Sequence, residues 1–88
     1  MIDYQSLGVG VVIENLRRRK RLTQDEVAFR CNIVRKTLSN IERDASVPSS
    51  ATLLNVLHAM NVTPSEFAAE LEKHTKILNH YPYNEDES

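Results

Sequence analysis

Arg35, Lys36, Thr37, Ser39, Asn40 and Arg43 gather six hydrogen-bonding side chains within one short stretch, and on a helix the side they share carries no large apolar residue. A guanidinium offers a planar fork of donors, an ammonium offers a point charge, and a carboxamide offers a donor beside an acceptor. Together they suit non-covalent recognition of an anionic, polar partner. They do not suit bond-breaking, because no nucleophile and base stand at a recognisable spacing and the carboxylates are scattered. His58, His74 and His80 show no ligand spacing, and with one cysteine there is no paired-cysteine motif. We therefore expect neither an enzyme nor a metal or cofactor site.

Something must hold those side chains outward. Leu38 and Ile41 lie three residues apart on the same stretch, with Ile33 just before it, so a helix there has one apolar side. The preceding stretch opens at Thr23, which can form a capping box with Glu26, and continues with Val27, Ala28 and Cys31 as a narrow apolar stripe. Ala28 is small enough to let another helix approach closely. Asn32 follows where that helix should stop, and asparagine readily takes the left-handed backbone of a helix end. Residues Gln24 to Arg43 thus spell two short helices joined by a tight turn.

The rest of the chain supplies three more helices, which makes the expected class all-α. Helix one should run from about Ser6, a candidate N-cap, to Lys20, with Ile13 and Leu16 inward. Helix four should begin after Pro48 and Ser49, draw Leu53, Leu54, Val56, Leu57 and Met60 into the core, and end at Asn61. Thr63, Pro64, Ser65 and Glu66 form a second capping-box sequence with proline at the first helical position. Helix five then carries Phe67, Leu71 and Leu78 at nearly whole-turn spacing, with Ile77 beside them. The expected domain covers residues 1–78, followed by an acidic, mobile tail at 79–88.

Eighty-eight residues make a small core, which dimerisation would reinforce. Leu71, Ile77 and Leu78 are candidate dimer contacts, with helix five folding back on its own domain as the equal alternative. Val11 and Val12 are further candidates, since both cannot face the core that Ile13 and Leu16 occupy. One of them should be exposed, or covered by Tyr4 and Leu7 or by a partner subunit.

A formal net charge of −1 hides a separation along the chain. Residues 13–43 hold nine Lys or Arg against four acids, a net +5, whereas residues 44–88 carry a net −5. Phosphate binding needs a local basic patch, not a basic total. The run Arg17 to Arg21 is the densest part of that patch, and its plainer reading is a solvated helix end whose cations suit the helix dipole. The lone Cys31 fits a reducing compartment and a core position. No apolar run approaches the ~20 residues of a membrane span, and no signal-peptide pattern opens the chain, so a cytoplasmic protein is expected.

The motif order Ile13-Glu14-Asn15-Leu16-Arg17, Leu22-Thr23-Gln24, Ile41-Glu42-Arg43 and Pro48-Ser49 resembles the phage-repressor (Cro/Xre-like) helix-turn-helix family of DNA-binding regulators. The resemblance spans about residues 9–67 and implies a compact five-helix, lambda-repressor-like domain. Three positions depart from the family pattern. Arg21 and Asp44 replace glycines, so a left-handed backbone must tolerate them. Val34 replaces the Ser or Thr that caps the recognition helix, a loss of about 0.5–2 kcal/mol.

The resemblance implies that helix three enters the major groove while helix two crosses the sugar-phosphate backbone. Arg35, Lys36, Thr37, Ser39 and Asn40 are then the base-reading candidates, with Arg35 and Lys36 suited to guanine and Asn40 to adenine. Gln24, Arg17, Arg18, Lys20, Arg21 and Arg43 are the phosphate candidates. The expected partner is a pseudo-palindromic DNA operator bound by a homodimer of a transcriptional regulator, as in small repressors and restriction-modification controller proteins. The alternative is an antitoxin or other partner-binding module, whose acidic tail and helix-five edge would hold a protein such as a toxin while the domain autoregulates its operon; the protein partner expected beside DNA is thus a toxin or RNA polymerase.

Overall fold

Four of the five helices end in the same way, and that shared ending shapes the fold. A computed structural model describes residues 7–74, which form α1 (Val9–Arg19), α2 (Gln24–Arg30), α3 (Arg35–Glu42), α4 (Ser50–Ala59) and α5 (Pro64–His74). There is no strand among the described residues. Arg21, Asn32, Asp44 and Asn61 follow α1 to α4 with φ of 61°, 60°, 58° and 61°. In each case the left-handed residue closes one hydrogen bond to the helix, and the next residue reaches back five positions. The latter bonds run Leu22 N–H to Arg17 carbonyl, Ile33 to Ala28, Ala45 to Asn40, and Val62 to Leu57, at 2.8 to 3.1 Å. These Schellman endings satisfy the last carbonyls, and at three of the four they turn an apolar residue, Leu22, Ile33 or Val62, back toward the core. Asn tolerates this backbone easily, whereas Arg21 and Asp44 hold it at a cost approaching the roughly 1–2 kcal/mol typical of L-residues.

The starts follow the sequence closely. The Thr23 hydroxyl accepts the Glu26 amide at 3.0 Å, and the Glu26 carboxylate accepts the Thr23 amide at 2.8 Å, so the capping box is complete. Those bonds also hold the Glu26 carboxyl below its usual pKa. Ser49 caps α4 by accepting the Thr52 amide, and Thr63 accepts the Glu66 amide. Val34 opens α3 with no side-chain cap. At α1 the N-cap of Val9–Arg19 is Gly8, in the left-handed region at φ 73°. Ser6 and Tyr4 lie outside the described residues, as do Ile77, Leu78, His80 and the expected tail at 79–88.

The core is built from Val9, Val12, Ile13 and Leu16 of α1, Val27 and Ala28 of α2, Leu38 and Ile41 of α3, Val56 and Leu57 of α4, and Met60 at the C-cap of α4. Two apolar expectations change. Val12 is 2% exposed and belongs to the core, so it is no dimer contact; Val11, at 39%, is the exposed member of the pair. Leu54 turns outward at 51% exposure because Leu57, Val56 and Met60 already fill the inward arc of α4. Phe67 and Leu71 pack partly buried against the same core, so α5 folds back on its own domain at least as far as Leu71.

Gly10 lets α1 and the end of α3 meet. A Cβ there would stand 2.5 Å from the Glu42 carbonyl oxygen and 2.6 Å from that of Ile41, closer than real atoms approach. Its amide instead donates to the Asp44 carboxylate at 3.0 Å. An acid at the close of α3 thereby serves the first turn of α1, where the helix dipole favours it.

Candidate nucleic-acid interface

α3 is anchored from below and polar above. Leu38 and Ile41 are fully buried, Arg35 and Lys36 are exposed, and Thr37, Ser39 and Asn40 are half-exposed along the outer side. Lys36 makes no ion pair or side-chain hydrogen bond among the described residues. Asn40 accepts a 2.6 Å bond from the Arg43 guanidinium on its Oδ1. Arg43, a phosphate candidate from the sequence, therefore also orients the Asn40 amide.

Under this face lies an ion pair that the sequence reading missed. Arg17 Nε donates to Glu42 Oε2 at 2.6 Å and its Nη2 donates to Oε1 at 3.1 Å, while Nη1 donates to the Leu22 carbonyl at 2.8 Å. The two side chains are only 9% and 3% exposed. Arg17 is thus no phosphate contact, because its donors face inward and are already satisfied. A spacing signal was available: Arg17 lies four residues after Ile13, and Glu42 four after Leu38, so each charge occupies the inward arc of its own helix. Opposite charges at two such positions can be buried only as a pair.

Glu42 carries the connection outward. Gln24 Nε2 donates to Glu42 Oε1 at 2.9 Å, which turns the Gln24 carbonyl oxygen toward α3, where it accepts the Arg35 Nε–H at 3.2 Å. Four side chains, Arg17, Glu42, Gln24 and Arg35, so link the last turn of α1 to the first residue of α3. Asp25 Oδ1 stands 3.8 Å from the same Arg35 nitrogen. Beside them opens a cleft of about 510 Å³ bordered by Glu14, Arg18, Thr23, Gln24, Asp25 and Arg35.

Most of the basic run is engaged inside the molecule. Arg18 pairs with Glu14 at 2.6 Å, Arg19 with Glu70 at 3.0 Å, and Lys20 stands 3.7 Å from Glu66 and donates to the Asn61 carbonyl. Hydrogen bonding from Arg19 holds the Glu70 carboxyl below its usual value, and the same bond raises the Arg19 pKa. Only Arg21 of the five makes no such contact among the described residues. Arg18 remains exposed despite its pair, so it and Arg21 are the members of the run best presented to a partner.

Among the described residues no cluster of three or more His, Cys, Asp or Glu could hold a metal, and no helix is long and apolar enough to cross a membrane. Cys31 is half-buried at the core edge, its Sγ 3.2 Å from the Val27 carbonyl, and burial pushes its thiol pKa up.

Two short helices, α2 and α3, joined by a turn at Asn32 and held by a shared core, coincide with the stretch at the centre of a family match: the helix-turn-helix family HTH_3 fits residues 13–67. The chain belongs to the helix-turn-helix family. This helix-turn-helix protein is 37% identical over 62 residues to the immunity repressor protein of Bacillus phage phi105, a match covering 70% of this chain and 43% of the repressor. The chain thus spans less than half the length of that relative. Its fold is similar to the wild-type restriction-modification controller protein C.Esp1396I, with a TM-score of 0.76 and 28% identity over 90% of this chain and 100% of the other. It is also similar to the C.Esp1396I tetramer in complex with its natural 35 base-pair operator, with a TM-score of 0.74 and 26% identity over 82% of this chain and 95% of the other. The all-α, repressor- and controller-like architecture expected from the sequence is therefore the one this chain adopts.

Proposed function

We propose that this helix-turn-helix protein is a sequence-specific transcriptional regulator that binds a pseudo-palindromic DNA operator as a homodimer. One observation carries the reading. The exposed polar side of α3 is fixed from beneath by Leu38, Ile41 and the Arg17–Glu42 pair, so its donors are presented on a rigid element and not on a loop. α3 then lies in the major groove, with Arg35 and Lys36 at base edges near its start and Asn40 a turn later, assisted by Thr37 and Ser39. Gln24, Arg18 and Arg21 line the route of one phosphate strand, and Lys20 contributes from its partly exposed position.

A single recognition helix touches only a few base pairs, so two copies related by a two-fold axis are needed for a unique site. Half-sites would lie about 34–36 Å apart, one helical turn. That a relative, C.Esp1396I, assembles on its own operator supports this reading. Selection of bound duplexes from a random library tests it directly: enriched sequences should contain inverted half-sites at that spacing, and sedimentation of the selected complex should give two chains per site. Enrichment of no sequence at low ionic strength would overturn it.

A further inference from the structure

Asp25 is out of place on a surface meant for DNA. It lies in the first turn of α2, 76% exposed at its side chain, and borders the cleft in which a phosphate strand would run. A carboxylate there repels phosphate. It also faces the one cation on which base reading most depends, since its Oδ1 stands 3.8 Å from Arg35 Nε, the nitrogen that already donates to Gln24.

That placement has a geometric consequence. A guanidinium has five N–H groups in a fixed fork, and engaging Nε–H on the protein side leaves the terminal Nη groups directed away from α2. Two parallel terminal donors match guanine O6 and N7. We infer that Asp25 is a specificity-determining positioning residue, which holds Arg35 for a base edge and denies it the phosphate backbone. The inference rests on the reading of Arg35 as base-reading.

In the free protein the Asp25–Arg35 pair is solvated and weak. When a duplex docks and displaces water, the effective dielectric falls and the pair strengthens. The same carboxylate penalises every backbone contact, specific or not. Only at the right site, where Arg35 holds its base, does the pairing with Asp25 offset part of that penalty, so Asp25 lowers affinity for unrelated DNA more than for the right site, which is how a repulsive group adds discrimination.

The test uses the full chain and the duplex enriched by selection, compared with the same duplex altered at the base pair that depends on Arg35. Asp25→Asn should bind unrelated duplex more tightly and reduce the ratio of affinities for the two duplexes roughly two- to fivefold at low salt. The loss should shrink as salt rises. Asp25→Glu, which keeps the charge, should retain most of the ratio, and Asp25→Asn made together with Arg35→Ala should give the same ratio as Arg35→Ala alone while binding both duplexes more tightly. Because Asp25 is exposed, the variants should melt near the parent temperature. If Arg35→Ala collapses the ratio while Asp25→Asn leaves it intact, Asp25 is a spectator and this inference fails alone. If Arg35→Ala leaves the ratio intact, the base-reading assignment fails and takes this one with it.

Discussion

Arg17 to Arg21 and Arg35 to Asn40 are both rich in cationic donors, yet the fold directs the two regions oppositely. In the first, Arg17 is buried on Glu42, Arg18 pairs along its own helix, and Arg19 and Lys20 meet Glu70 and Glu66 of α5. The second keeps Arg35 and Lys36 exposed, and the contacts that Arg35 and Asn40 make, to Gln24 and Arg43, orient polar groups without covering them. A dense cationic run is thus mainly a tie between helices, while a sparser one is the presented surface. The decisive variable is not charge density but how far the facing acid covers the cation: Glu42 buries Arg17, whereas Asp25 leaves Arg35 exposed.

The sharpest way to break that contrast is at the buried pair. Glu42→Ala leaves the Arg17 charge buried without its partner and removes the acceptor of Gln24, so chemical denaturation should show a loss of about 3–5 kcal/mol. A much smaller loss would mean that the pair is not the anchor of α3. Next in size is the presented surface: Arg35→Ala should cost about 1–3 kcal/mol on the selected duplex and relax preference at one base position, with stability unchanged. Arg18→Ala should weaken binding to all duplexes alike and flatten the salt dependence. Equal losses for Arg35→Ala on selected and scrambled duplexes would remove it from base reading.

Arg21 bridges the two categories. Arg21→Gly relieves a left-handed backbone and should stabilise the fold by about 1 kcal/mol, while weakening DNA binding if that guanidinium meets a phosphate. Thermal melts and binding titrations on one variant would separate the two roles. The smallest effect concerns the α1–α5 tie. Glu70 has its pKa lowered in the folded state, chiefly by the Arg19 hydrogen bond, so its stabilisation is present above the unfolded value of about 4.3 and is lost as pH falls through the folded one. Melting temperatures of Glu70→Gln should therefore depend less steeply on pH in that acidic window than those of the parent.

Local chemistry was legible in the sequence. The Thr23–Glu26 box, the Ser49 cap, the missing cap at Val34, the left-handed stop at Asn32 and the helix end at Asn61 involve neighbours a few residues apart, so residue type alone foretells them. What stayed hidden depended on distant partners. Reading Arg17 as one of five solvated cations ignored its four-residue step from Ile13. Arg19 meets Glu70 across 51 positions only because α5 returns along α1, which no local pattern specifies. Leu54 misled for a simpler reason: α4 has more apolar residues than one side can bury, and only packing chooses among them. The donors of α3 were legible as a set, but the links that fix Arg35 and Asn40 were not.

The chain of contacts from Arg17 through Glu42 to Gln24 ends just beneath Arg35. Side chains past that point carry little of the folding free energy. Residues 35, 36 and 40 can therefore be exchanged for others while the scaffold stands, which makes the outer rim of α3 a natural place to graft a new sequence preference onto an unaltered frame.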